Sequence, residues 1–359
     1  MIKTINGWRA VFALMIVLFH VGVTGLEEMT WAGVTFFLMA SGFLLSMKHP
    51  LERLDGPTCK RFVWRHVAKL YPLHWLTLAM WMAGLALVGL LVVKPLSLVL
   101  NTALLQSWSL THSIYFSYNK FSWFLSTLLF CYVCYPLLSK WFMPLRLRHK
   151  AITLGVLAAV LIAVLAGTDD YSRTALYVFP PVRIIDFIIG MFLASLVPHF
   201  KSWSILGKQH NGTDAELVTV TLLSATILLY RSCSESLLPW SDAILWWLPV
   251  AAILMASLLY DRREGFIGKI LTSKPLQWLG DISFEIFMLQ GIAVLVYNWI
   301  AEPALAHIGA LHAYKTVATD LLGAAAPSLV MLLILPIDIL LAWIVNRLFS
   351  RPVARLLPR

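Results

Sequence analysis

About ten times along this chain a stretch of roughly 20 mostly apolar residues recurs, the length a helix needs to cross the hydrocarbon core of a bilayer. The stretches lie near 8–26, 31–48, 71–93, 121–139, 150–167, 177–197, 216–231, 242–260, 282–300 and 327–348. A chain in lipid must satisfy its backbone polar groups internally, so a repeated pattern of this length admits a helical bundle or a closed barrel. Barrel strands are half as long and alternate strictly in hydropathy, which these segments do not. Composition agrees: 60% of the 359 residues are hydrophobic and only 13% charged, against about 25% charged in soluble domains. The expected fold is all-α, one polytopic transmembrane bundle of about ten spans forming a single domain over 1–359. The short connections leave no room for a separate soluble catalytic domain, so any chemistry must use the helices and their ends.

The net charge of +10 would suggest nucleic acid in a soluble protein, but here its distribution matters more. The connections alternate between cation-rich and cation-poor. Of the 28 Lys and Arg residues, all but Lys94, Lys120, Arg173, Arg183, Arg231 and Lys315 fall on one side. The positive-inside rule then places both termini in the cytoplasm, with an even number of spans. Lys3 followed by an apolar run resembles a signal peptide, but no small-residue cleavage site is evident and His20 follows the core, so a retained first helix is expected. Cys131 and Cys134 form a CxxC inside an apolar helix, where small core residues are a better account than a redox pair, which needs exposed, activated thiols. The ten histidines are scattered without metal-binding spacing, and no metal site is expected.

Ionisable groups within spans are costly and therefore functional candidates. The first helix holds two, Arg9 and His20, eleven residues apart. Just over three turns separate them, so they share a face about 16 Å apart along the axis. Arg9 belongs near the cytoplasmic boundary and His20 deeper, as the one histidine well inside a predicted span. An imidazole there suits a general base acting on an alcohol, or a proton relay in a transporter; a topology-setting Arg and a carbonyl-bonded His would serve packing alone. Ser41-Gly42 in the second span allows close approach of a neighbouring backbone or of a ligand. Arg61, Arg65 and Lys69 recur every four residues at the start of the third span, a stripe suited to lipid headgroups or to the phosphates of an anionic cofactor. Arg183 and Asp186, three apart near the outer end of the sixth span, can pair, as structural glue or to hold a polar acceptor.

Taken in order, these segments resemble the acyltransferase-3 family of integral membrane acyltransferases. Asn6-Gly7-Trp8-Arg9-Ala10 through Phe19-His20 resembles its first-helix motif, Arg, ten residues, then His. Phe36 to Phe43 resembles its FFxxSGF segment, and Lys69 to Trp75 the basic run that ends in a Tyr-Pro. Trp123-Phe124-Leu125-Ser126 with Tyr132 and Tyr135-Pro136, Arg183-x-x-Asp186-Phe187-x-x-Gly190, and Leu279 to Phe287 resemble three further segments. There are departures. His66 and Lys69 stand where the family often has Arg-x-x-Arg, Leu128 where a Glu is common, and Gln290 where a His is common. No extra domain is expected after the tenth helix.

The resemblance implies transfer of an acyl group, most often acetyl, from cytosolic acyl-CoA to a hydroxyl of a carbohydrate or glycolipid at the outer face of a bacterial inner membrane. It implies catalytic roles for His20 and Arg9, and donor binding by Arg61, Arg65 and Lys69. Ser41, Gly42, Trp123 and Ser126 would line the pocket, and Arg183 and Asp186 would position the acceptor or orient His20. The implied partners are acyl-CoA, the acceptor and the bilayer, with no nucleic acid and no permanently bound cofactor. A transporter or flippase of a lipid-linked saccharide, with His20 as proton relay, is the alternative. No repeated halves or paired broken helices favour it.

Overall fold

The computed structural model describes residues 2–357 except 24, 49–54, 203–211, 234–236, 238, 239, 241, 242, 260–264, 302 and 304–332. Arg53, Lys208, Arg262, Arg263, Lys315, Arg359 and the start of the stretch at 327–348 lie outside the described residues. Among those described, the protein is helical without strands.

Ten helices account for the ten apolar stretches: α1 (Lys3–His20), α2 (Glu27–Lys48), α3 (Gly56–Leu87), α6 (Trp123–Trp141), α7 (Leu147–Ala166), α9 (Pro180–Ser202), α10 (Gly212–Ser232), α11 (Trp247–Leu259), α14 (Ser283–Val296) and α15 (Ile334–Val345). Short helices connect them: α4 (Pro95–Thr102), α5 (His112–Tyr115), α8 (Asp170–Val178), α12 (Phe266–Leu271), α13 (Lys274–Asp281) and, after α15, α16 (Arg351–Leu356). Seven described helices are long and apolar enough to span a membrane: α2, α3, α6, α7, α9, α10 and α14 together with the helical turn that carries it on to Ile300. The chain is a multi-pass membrane protein. The first helix is not among the seven because Lys3, Asn6, Arg9 and His20 dilute its apolar content.

The third helix departs most from expectation. The sequence places its span at 71–93, but α3 runs from Gly56 to Leu87. Asp55 accepts a hydrogen bond from the Thr58 amide at 2.8 Å, and Pro57 occupies the first turn. Both start a helix, so the basic run 60–69 forms the first turns of the spanning helix itself. His74 consequently falls mid-helix and is fully buried, its Nε2 2.8 Å from the Asn101 carbonyl. His20 is therefore not the lone deep histidine.

The packing is centred on α1, α2, α9 and α14. The α2–α9 crossing is close because both helices present glycine: a Cβ on Gly42 would strike the Phe187 carbonyl, and one on Gly190 the Met39 carbonyl. Small residues let backbones approach where lipid supplies no hydrophobic drive for association. The first helix lies against α2 on one side and against α13 and α14 on the other. There Asn6 donates to Asp281 Oδ1 and to the Gln277 carbonyl, each at 3.0 Å. The helices α7 and α10 are the least enclosed and carry apolar side chains outward. At one rim Arg231 ties α10 to α2 through Glu28 at 2.7 Å and to the Gly25 carbonyl at 2.9 Å.

Candidate active site

A cavity of about 490 Å³ opens between α1, α2, α3, α6 and α14. Arg9, Ser41, Lys48, His66, Lys69 and Tyr132 provide its polar wall, and Phe37, Phe124, Leu128 and Phe287 its apolar end. Helix geometry explains this set. Ser41 and Lys48 lie seven residues apart on α2, and His66 and Lys69 three apart on α3, so each pair shares a face. The Ser41 hydroxyl donates back to the Phe37 carbonyl at 2.7 Å. The guanidinium of Arg9 lies within electrostatic reach of Tyr132, Asp281 and Glu285. Asp281 is held by Asn6, and Glu285 by Asn346 Nδ2 at 2.8 Å. Arg9 thus has two fixed carboxylates within electrostatic reach while facing a cavity with three further nitrogen-bearing side chains, an arrangement suited to an anion.

His20 ends α1 and does not line that cavity. It is exposed at the point where α1 ends. Its ring packs against Phe121 with centroids 4.8 Å apart, and its Nδ1 lies 3.0 Å from Gln290 Oε1. Gln290 is itself 1% exposed, and its amide nitrogen donates to the Phe287 carbonyl at 2.8 Å. That second bond fixes the amide orientation. With nitrogen committed to a carbonyl, oxygen faces His20, so Nδ1 is the ring nitrogen that donates, and Nε2 has no hydrogen-bond partner among the described residues. The side chain is set up as a base.

The turn Lys120–Ser122 that brings Phe121 to His20 is built by a buried polar network. Asn119 donates to the Met288 carbonyl at 3.1 Å and accepts from the Phe121 amide at 3.3 Å. The Ser122 hydroxyl donates to the Asn119 carbonyl at 2.7 Å and accepts from Gln106 Nε2 at 3.0 Å. These bonds anchor the turn to α14 and to the 95–108 segment.

The other residues singled out from sequence divide. Ser41 and Lys69 line the cavity, whereas Arg61 and Arg65 do not. Arg61 is two turns before Lys69, about 12 Å along the axis, and is exposed there. Gly42 faces α9 rather than the cavity. Trp123 packs on Tyr177 with centroids 5.0 Å apart, and Ser126 is buried within the bundle. Arg183 and Asp186 form a buried pair at 2.9 Å. The guanidinium also reaches Thr35 at 3.4 Å and sits over the Tyr177 ring, and Asp186 accepts from Trp247. This is an interhelical tie among α2, α8, α9 and α11, and Gln290, not Asp186, orients His20. Sequence reasoning missed Gln290, Phe121, Lys48 and His66 as site residues. Gln290 and His66 were visible only as departures from a motif.

The family described as an acyltransferase domain matches residues 2–347, nearly the whole chain. The acyltransferase MdmB of Streptomyces mycarofaciens is 27% identical over 198 residues, 48% of this chain and 49% of that protein. The chain thus spans about half the length of the curated relative it matches. No solved structure matches it. With a family match of that extent, and Arg9 and His20 on one helix in the order and spacing of its first-helix motif, the chain belongs to the acyltransferase-3 family.

Proposed function

We propose that this protein moves an acyl group, acetyl in the simplest case, from cytosolic acyl-CoA to a hydroxyl of a carbohydrate or glycolipid at the outer face of a bacterial inner membrane. In this reading the chain crosses the membrane ten times, with both termini in the cytoplasm. The observation that carries it is the division of α1: Arg9 faces a cavity with Lys48, His66 and Lys69, while His20, three turns on, is exposed with Nδ1 tied to Gln290 and Nε2 without a partner among the described residues. The cationic cavity suits the phosphates of the donor, and the imidazole suits a neutral hydroxyl.

His20 Nε2 takes the proton of the acceptor hydroxyl as its oxygen attacks the thioester carbonyl. The C–S bond breaks, the C–O bond of the ester forms, and the proton passes to the leaving thiolate, releasing free CoA. Arg9 holds the donor so that the thioester points along α1. Arg183 and Asp186 support this by fixing α9 against α2. MdmB is also described as an acyltransferase, which favours this chemistry over transport.

The test is mass spectrometry of surface glycans from cells with and without the protein, together with thiol release from acetyl-CoA by membranes containing it. Glycans of equal mass and no donor-dependent thiol release would refute the reading. Its topology is checked separately with Lys269→Cys, which should resist impermeant thiol reagents in intact cells. Labelling there would reverse the orientation.

A further inference from the structure

Between the Arg9 cavity and His20 stands a continuous set of phenyl rings. Phe37 meets Phe124 edge to face with centroids 6.2 Å apart, Phe124 meets Phe287 at 5.4 Å, and Phe287 meets Phe121 at 6.2 Å. Phe121 then meets the His20 ring at 4.8 Å. Phe37, Phe124 and Phe287 line the cavity, whereas Phe121 does not and belongs to the His20 side. Phe121, Phe124 and Phe287 are 5–6% exposed. The donor cavity therefore ends on the face of this layer, and the base lies beyond it.

We propose that Phe124 and Phe287 form an aromatic partition that a transferred acyl group must cross to reach His20, and that the partition restricts transfer to short acyl groups and keeps water from the thioester. The proposal rests on the acyl-transfer reading above. Edge-to-face pairs add little beyond the area they bury, so a ring can turn aside for a two-carbon group at small cost. Each added methylene demands more displaced ring in a close-packed layer. The rings do not enter the bond changes; they decide which thioesters come within reach of Nε2.

The experiment compares acetyl-CoA with butyryl-CoA in detergent-purified wild type, Phe287→Ala, Phe287→Leu and Phe124→Ala, reading kcat/KM for ester formation and for hydrolysis without acceptor. The butyryl-to-acetyl ratio should rise at least tenfold in either alanine variant and less in Phe287→Leu, and hydrolysis should rise with it. Phe287→Trp should lower kcat for both donors while the Kd for CoA stays within twofold. Phe287→Leu retains a large apolar side chain at this position, so together with Phe124→Ala it decides the matter if Phe287→Ala does not fold. An unchanged ratio in folded Phe287→Leu and Phe124→Ala overturns the partition, as does Phe287→Trp at full kcat. Absence of transfer from acetyl-CoA by wild type instead overturns the functional reading itself.

Discussion

Gln290 offers the sharpest test of how this site works. Its oxygen accepts the Nδ1 proton of His20 at 3.0 Å, and its nitrogen is anchored on the Phe287 carbonyl at 2.8 Å. Replacing it with methionine keeps length and volume but removes both bonds. The lost neutral hydrogen bond is worth about 0.5–1.5 kcal/mol, and leaving a partly enclosed N–H unsatisfied costs about 1–3 kcal/mol. The imidazole also loses the partner that selects the Nδ1-protonated form. At about 1.4 kcal/mol per tenfold in rate, kcat should fall roughly 10- to 100-fold. The KM for acyl-CoA should change little, because Gln290 does not line the donor cavity. Gln290→Glu, which keeps an acceptor in place, should recover much of the loss. The effect must also vanish in a His20→Ala background, since a residue that acts through another adds nothing once that partner is gone. The assay is steady-state ester formation by purified protein. Gln290→Met within twofold of wild-type kcat, or an equal further loss in the His20→Ala background, would refute the assignment of Gln290 as the group that orients the base.

Other outcomes follow from the same geometry. His20→Ala and Arg9→Ala should each lower ester formation about 10²–10⁴-fold, to a small residual rate, with membrane insertion intact, and Arg9→Ala alone should also weaken CoA binding measured by calorimetry. Lys69→Ala should raise the KM for acyl-CoA more than Arg61→Ala, because only Lys69 lines the cavity; an equal effect would contradict the placement. Asp186→Ala leaves the Arg183 guanidinium buried without its countercharge, which should cost about 3–5 kcal/mol, read as a large drop in the melting temperature in detergent. Gly190→Ala puts a Cβ against the Met39 carbonyl, so it should lower the yield of folded protein, whereas Gly155→Ala, in open space on α7, should not.

Helix existence was legible in the sequence because a span carries its whole signal locally: twenty apolar residues announce themselves without reference to any neighbour. Helix starts were less legible. The cap at Asp55 and Pro57 is a short polar signal before a basic run, and extending α3 back to Gly56 moved His74 from a helix end to its middle. The shared face of Arg9 and His20 followed from helix geometry, but whether a side chain meets a cavity or a neighbouring helix depends on partners hundreds of residues away. Gly42 shows this: its glycine fitted a ligand wall or a crossing equally well until Phe187 was placed opposite it. Gln290 shows the converse. In sequence it was a missing histidine, a departure that weakened the motif. In space, 270 residues from His20, it is the acceptor His20 needs. An imidazole at that position could hold His20 in the same form only through its own unprotonated nitrogen. An amide accepts without titrating, and so keeps the orientation of the base independent of pH.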